Sequence, residues 1–316
     1  MRSSPSRKHQ QGAVAIFFAL LIVIVTTSVA VAVSYDMALD TRRTQSLLWQ
    51  EQARLVAYGA EDWISDVLRQ DTVDTSDDHL GELWAQELPV LPVDGAGVQG
   101  LVAGSLEDLQ GRYNINNLVD PGGQPVTLEV ERFRRLLQLL QLDPQLADAV
   151  VDWIDTDNDI SFPGGAEDDV YSGRIPANRT ANQPFRSIGE LAIVEGFDTE
   201  AVDKLRPLLT ALPKTTQVNA NTAPALVLAM MGDNISAQDV EFIIEDRLES
   251  GIEDLDQVFG GFMDADAIGA LTTATEFFGL RTVVRIGTVR FTMYSLIYRS
   301  TDGQTAVLLR SFGNEY

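Results

Sequence analysis

The stretch AVAIFFALLIVIVTTSVAVAV, from Ala13 to Val33, has no charged residue in twenty-one positions. As an α-helix rising about 1.5 Å per residue, it matches the ~30 Å hydrocarbon core of a bilayer. Inside lipid every backbone N–H and C=O must be satisfied within the segment, so one continuous helix is the expected conformation. Ahead of it, MRSSPSRKHQQG carries Arg2, Arg7 and Lys8 and no acid. That positive flank predicts a cytoplasmic N-terminus, with everything beyond Val33 translocated. The rest of the chain must then fold as an exported body on a helical tether.

Three fates are open to this segment. A plain signal anchor fits its length. Ala30-Val31-Ala32 offers a small-residue site for a cleaved secretory signal, although the apolar run exceeds the usual ~7–15 residues. The segment also resembles a type IV prepilin leader, because the basic leader ends in Gly12 and the apolar helix starts at once with Ala13. That resemblance implies that a dedicated peptidase cuts after Gly12 and methylates Ala13, leaving the helix in place. Pilins and most pseudopilins carry Glu at the fifth mature position, and Phe17 stands there in this chain. A buried charge in lipid needs a partner, so its absence implies either that the segment is not a prepilin leader or that the subunit sits at the end of a filament. Downstream, YDMALDTRRTQSLLWQEQARLVAYGAEDWISDVLRQD contains no Pro and one Gly, Gly59. Val56, Ala60, Trp63 and Val67 recur at helical spacing, which predicts a long spine with an apolar stripe packed on a sheet.

Residues 71–105 are rich in loop signals, and VQGLVAGSLEDLQGRYNI alternates as a β-hairpin or edge strand does. From about 115 to 275 the pattern changes to short helices. VERFRRLLQLLQL is one, and PQLADAVVDWID is another, opened by Pro144. SIGELAIVEGFDTEAVDKLRPLL reads as two helices broken at Gly196-Phe197-Asp198. NTAPALVLAMM and SAQDVEFIIEDRLES each carry Asn or Ser as an expected N-cap. From Phe277 to Phe312 the chain is rich in β-branched and aromatic residues, with a tight turn at STDGQ, and predicts two or three antiparallel strands. The fold class is α+β: a long N-terminal helix, an antiparallel sheet and an inserted α-helical domain.

Charge and composition narrow the chemistry. A net charge of −23 excludes phosphate backbones, which need a basic footprint, and favours divalent cations or basic protein surfaces. With no cysteine, thiolate metal sites, disulfides and Cys nucleophiles are absent. His9 and His79 are the only histidines, too few for a His-based zinc site and poorly suited to a Ser-His-Asp triad. VNANTAPALVLAMM and ELAIVEGFDTEAV resemble helix-hairpin-helix units of nucleic-acid binders. Their surroundings are acidic (Glu241, Glu245, Asp246, Glu249, Glu253, Asp254, Asp256), so structural hairpins are expected, with Asn219, Asn221 and Thr222 as helix caps.

The most charged stretch is DWIDTDNDISFPGGAEDDVY, residues 152–171, with seven carboxylates and no Lys or Arg. Asp155, Asp157 and Asp159 open like an EF-hand loop, but Ile160 stands where Gly is required and Ala166 where the bidentate Glu belongs. Pro163-Gly164-Gly165 can fold the loop back and bring Glu167, Asp168 and Asp169 to the first group. Three readings remain: a calcium cage, a solvated loop, and a glycosidase-like acid pair with Trp153 and Phe162 as sugar platforms. Without a cation, mutual repulsion should leave the loop disordered.

Together, the Gly12–Ala13 junction without Glu at 17, GRYNINNL, VDWIDTDND…PGGAEDDVY, NQPFRSIGELAIVEGF and VNANTAPALVL resemble the K-type minor pseudopilins of type II secretion systems. The resemblance implies a pilin-like fold with a calcium-binding insertion; no catalytic constellation stands out among the residues, so an assembly component and not an enzyme is expected. It places a leader at 1–12, the membrane part of the helix at 13–33 and its periplasmic part at 34–70. Pilin-like segments follow at 71–114 and 276–316, around an insertion at 115–275. It implies calcium ligands among Asp155, Asp157, Glu167, Asp168 and Asp169. It also implies an inner-membrane anchor and assembly with the I-type and J-type minor pseudopilins at the pseudopilus tip, with contacts to secreted cargo or the secretin. Loss of the leader would take the charge from −23 to −26. The competing reading is a membrane-anchored periplasmic calcium-binding hydrolase.

Overall fold

The computed structural model describes residues 6–87, 89–95, 98–233 and 235–313. Helix α1, Ser6–Asp74, is unbroken and includes a stretch apolar and long enough to cross a membrane. No Pro interrupts it, and its single interior glycine outside the leader, Gly59, costs only ~1 kcal/mol of helix propensity. The apolar side chains from Val14 to Val33 are exposed on every side, as a lipid-facing helix requires.

Beyond the membrane-length part, α1 buries Ala53, Ala57, Glu61, Ile64 and Leu68. This line lies beside the predicted one: Val56, Ala60 and Val67 are half-buried, and Trp63 is 46% exposed. A hydropathy count discards the true face because Glu61 sits in it. Glu61 is buriable because it is paired. Arg310 Nε and Nη2 donate to its carboxylate at 2.9 and 2.7 Å, and the Ser295 hydroxyl donates at 2.5 Å. The small side chains of Ala53 and Ala57 allow the helix to pack among Val284, Ile286 and Met293.

After α1 the chain forms a hairpin, β1 (Leu91–Gly95) and β2 (Val98–Asp108); the alternating segment supplies a single inner strand, not a hairpin or an edge strand, and its partner LPVDG comes from the stretch read as loop. It then enters the insertion. Strand β3 (Tyr113–Asn114) is followed by α2 (Thr127–Leu139), α3 (Leu146–Ile154), α4 (Asp168–Ser172), a 3-10 segment at Ile188–Ile193, α5 (Thr199–Leu205) and β4 (Leu209–Thr210). A second run holds β5 (Val218–Asn219), α6 (Ala225–Met231), α7 (Ala237–Ser250), α8 (Leu255–Phe259), α9 (Ala265–Gly269) and β6 (Leu271–Thr272). The chain returns through β7 (Phe277–Ile286), β8 (Val289–Arg299) and β9 (Thr305–Phe312). The sheet is antiparallel in the order β1-β2-β7-β8-β9, with the insertion entering after β2 and leaving before β7. At the β7–β8 turn Gly287 has φ +55°, and a Cβ there would lie 2.6 Å from the Trp49 ring of α1. Only glycine meets both demands.

The insertion is two copies of one plan. Each copy opens on a short strand carrying Asn-X-Asn, and the first Asn side chain accepts the N–H of the second: Asn114 from Asn116 at 3.2 Å, Asn219 from Asn221 at 3.0 Å. Each closes on a Leu-Thr strand that pairs in parallel with its opening strand. Just before that strand lies a helical hairpin whose second helix is capped by an aspartate. Asp198 accepts from Ala201 N and Asp264 from Ala267 N, both at 2.8 Å.

Three expectations are corrected here. The second hairpin is α8–α9, not the VNANTAPALVLAMM segment. Helix α6 starts after Pro224 with no side-chain cap, because Asn219 and Asn221 bond elsewhere: Asn219 to Asp78 O and Asp108, Asn221 to Ile252. The first half of SIGELAIVEG is a 3-10 segment, held by the reciprocal Ser187–Glu190 cap. Ser236 does cap α7, in a box with Asp239. Of the acidic positions noted around the hairpins, the side chains of Asp246 and Glu249 lie outside the described residues.

Candidate functional site

Helix α3 is amphipathic in an unusual sense: Asp148 in its first turn, Asp152 in its last and Asp155 at its C-cap are all buried. Spacings of four and three put them on one face. The following loop covers that face. Ser161 N–H donates to both oxygens of Asp152 at 3.1 Å, and Gly164 N–H donates to Asp148 at 3.2 Å. A Cβ on Gly164 would stand 2.4 Å from the Gln145 carbonyl, and one on Gly165 would stand 2.2 Å from Asp152 Oδ2. The two glycines are therefore needed for close approach, which is how Pro163-Gly164-Gly165 returns the chain to α3.

The return delivers Glu167, at the N-cap of α4, to the buried interior, where it is 3% exposed. Thr180 clamps it: the Thr180 hydroxyl lies 3.1 Å from Glu167 Oε2 and 2.9 Å from Asp168 Oδ1, and Thr180 N–H donates to Asp168 at 3.0 Å. Asn182 ties the next loop back, its amide donating to Asp157 O at 3.0 Å and Asn158 Oδ1 at 2.9 Å. Trp153 packs edge-on against Tyr171 at 5.1 Å between centroids and braces the base of the cluster.

Three buried oxygens in this constellation have no hydrogen-bond partner: Asp155 Oδ1, Glu167 Oε1 and Asn182 Oδ1. Buried unsatisfied acceptors are rare in native proteins and call for an explanation. Electrostatics agree. Burial, with Asp157, Asp152 and Glu167 nearby, pushes Asp155 up to about 7. Burial also raises Asp152 and Glu167. Arg134 and Arg179 pair with Asp148 and Asp168 at the margin. Asp152, Asp155 and Glu167 are raised together and the last two keep unpaired buried oxygens, so the cluster offers hard oxygen ligands to a cation.

Of the predicted ligands, Asp155 and Glu167 lie in this interior and Asp168 at its margin. Asp157 and Asp169 are exposed, with Asp157 accepting from Asp159 N at 2.8 Å and Asp169 from Val170 N at 2.9 Å. Asp152, Thr180 and Asn182 join the cluster from outside the predicted set. Asp152 carried a signal, because it lies three residues before Asp155 on the same helix. Thr180 and Asn182 carried none. The sugar-platform reading loses its geometry, since Trp153 is buried against Tyr171 while Phe162 is 92% exposed. Gly12 and Ala13 both fall within α1; the side chain of Ala13 and residues 1–5 lie outside the described residues.

A second acidic group lies where the insertion meets the sheet. Oxygens of Asp71, Asp78 and Glu82 lie within 4.8 Å of one another, closer than any other carboxylate trio among the described residues. Two members of this group already share a cation. Arg299 donates to both oxygens of Asp78 at 2.5 Å and to Asp71 at 2.8 Å. Glu82 accepts from Trp84 Nε1 at 2.6 Å and from the Thr75 hydroxyl at 2.7 Å. Nearby, the fully buried Asp108 receives Asn219, Thr222, Thr275 and Gln110 N–H. The junction is thus a latch between helix end, sheet and insertion, with its cation supplied by Arg299.

A membrane-length helix that continues onto an antiparallel sheet, interrupted by a helical insertion, defines the pilin-like class of membrane-anchored subunits. Models of the type II secretion system (T2SS) protein K family match residues 111–214 and 218–275, one match to each copy within the insertion. Type II secretion system protein K of Aeromonas hydrophila is 32% identical over 96% of this chain and 98% of its own length. That of Pseudomonas aeruginosa is 31% identical over 97% and 94%. The crystal structure of the GspK-GspI-GspJ complex from the enterotoxigenic Escherichia coli type 2 secretion system has a chain that superposes with a TM-score of 0.76. The two are 28% identical, over 86% of this chain and all of that one. The chain belongs to the type II secretion system protein K family.

Proposed function

We propose that this chain is a minor pseudopilin that joins I-type and J-type partners at the tip of the pseudopilus, where the complex starts the filament and supports export of folded proteins. The observation that carries this reading is the match to a chain solved as part of a GspK-GspI-GspJ complex, over the whole of that chain. The N-terminal helix anchors it once in the inner membrane, and the sheet and insertion stand in the periplasm, following the basic flank. Phe17 in place of a charged residue spares this subunit the need for a partner above it in lipid, consistent with an end position.

The insertion's role is structural. Asp155, Glu167 and Asp168, with Asp152 and Asn182 beside them, would hold a calcium ion, and Asp157 and Asp169 extend the candidate set. The orphaned oxygens of Asp155, Glu167 and Asn182 fit a hard cation. Bound there, calcium would neutralise the crowded acids and pin the 155–167 loop to α4. The residues themselves position one another: Thr180 clamps Glu167 to Asp168, and Asn182 holds the neighbouring loop.

Processing tests the leader. Mass spectrometry of the protein purified from membranes should find an N-terminus at N-methyl-Ala13. A chain starting at Met1 or Val33 would contradict the pseudopilin reading and favour an anchor or a cleaved signal.

A further inference from the structure

The inner face of β7 packs on α1 through an apolar row that is broken at one position. Phe278 and Leu280 join Ile64 and Leu68 of the helix, Val284 and Ile286 join Ala53 and Ala57, and Thr282 stands between the two groups. The Thr282 side chain is 1% exposed, and its hydroxyl has no hydrogen-bond partner. Its neighbour across the ladder on β2 is Gly104, which has no side chain to cover it. On the helix side, α1 carries Gly59, where a Cβ would meet nothing within 4 Å. The result is a cavity of about 210 Å³ between helix and sheet, walled by Val56, Leu91 and Leu280 and flanked by the Trp63 ring.

Each of these three residues costs stability. Glycine weakens the interior of a helix or a strand, and a buried hydroxyl without a partner keeps its desolvation penalty. Nothing in the chain itself requires glycine at 59, and valine at 282 would keep the shape without the orphaned hydroxyl. Local rules broken together around one hole are expected at functional sites. Water does not resolve the defect. A buried water makes roughly three hydrogen bonds to polar groups, and among the described residues only Thr282 and Trp63 bring a polar side chain to the wall. We propose that the cavity binds a small aromatic molecule of two fused rings carrying one N–H or O–H group. An apolar cavity of about 150 Å³ takes a single ring, so this one has room for a second. The rings lie between α1 and the sheet against Trp63, and the polar group donates to Thr282 Oγ1. The site belongs to the pilin-like part of the fold and uses none of the candidate calcium ligands.

The probe is indole, titrated calorimetrically into the full chain in detergent, with protein-free detergent at the same concentration as the blank. Indole should bind saturably, one molecule per chain. Indene, which has the same shape without the N–H, should bind about three- to tenfold more weakly. Thr282→Val should make the two ligands equal in affinity while raising the melting temperature of the protein without ligand. Gly59→Leu should bind neither, with a melting temperature at or above that of the parent chain, because leucine favours a helix interior over glycine. The proposal is overturned by no saturable heat above the blank, by binding that survives Gly59→Leu, or by an indole-to-indene ratio that Thr282→Val leaves unchanged.

Discussion

Replacing Arg299 with alanine is expected to cost about 3–5 kcal/mol of stability, the range for removing one partner of a buried ion pair. Arg299 is 6% exposed and Asp78 2% exposed. The substitution leaves Asp78 and Asp71 without their cation and frees the Thr275 carbonyl, which Arg299 Nη2 holds at 3.0 Å. It also removes the guanidinium stacked 4.8 Å from the Phe278 ring. Because these residues join α1, the segment before β7 and the end of β8, the loss should loosen the insertion from the sheet. The penalty should grow with pH, since at mildly acidic pH the orphaned acids can neutralise by taking up protons. Arg299→Lys keeps the charge but loses the two-pronged geometry and should cost less. Thermal melts of both variants between pH 5 and pH 8 check this, and equal losses would show that charge without the fork contributes nothing.

The second large effect concerns calcium. For the purified full chain in detergent, saturating calcium at about a hundred times its dissociation constant should add roughly 2.7 kcal/mol over the protein in EDTA. At ~2–4 °C per kcal/mol, that raises the melting temperature by about 5–10 °C. The pH dependence carries a definite sign. Asp155, Asp152 and Glu167 are raised in the folded protein, Asp155 to about 7. In EDTA, the folded state therefore keeps protons that the unfolded chain releases near pH 4. This stabilisation is complete below about pH 4 and is lost as pH rises through about 7. Calcium takes the deprotonated set, so its contribution should rise through the same window. Glu167→Gln and Asp155→Asn should each remove most of the calcium response. An EDTA melt identical to the calcium melt at pH 8 would count against the cage.

Much of this architecture can be read from sequence, and the reasons are local. The charge-free run from Ala13, the alternation after Val98 and the β-rich tail from Phe277 each announce themselves within a window of about a dozen residues. The helix stripe was misplaced by one position because Glu61 carries it, and the arginine that makes Glu61 buriable, Arg310, lies at the other end of the chain. The junction latch is hidden for the same reason: Arg299 and Asp78 are distant in sequence, and no local pattern links them. Asn114, Asn116 and Asn117 look like turn residues. Instead, they staple the backbone at Lys214, Phe185, Leu212 and Thr216. Side-chain hydrogen bonds to distant backbone follow no period, so they become visible only in the fold. In the acidic cluster, the carboxylates and the Pro-Gly-Gly return were legible as chemistry. Which acids turn inward was not, because Asp155 and Asp157 differ in burial only through the packing of α3.

The central claim is assembly with two sister subunits. Co-expression of this chain with the I-type and J-type pseudopilins of the same secretion system, followed by size-exclusion chromatography with light scattering, tests it most directly. The account predicts one species containing one copy of each protein, lost when any one is omitted. Three separately eluting proteins, or an I–J pair that excludes this chain, would contradict it.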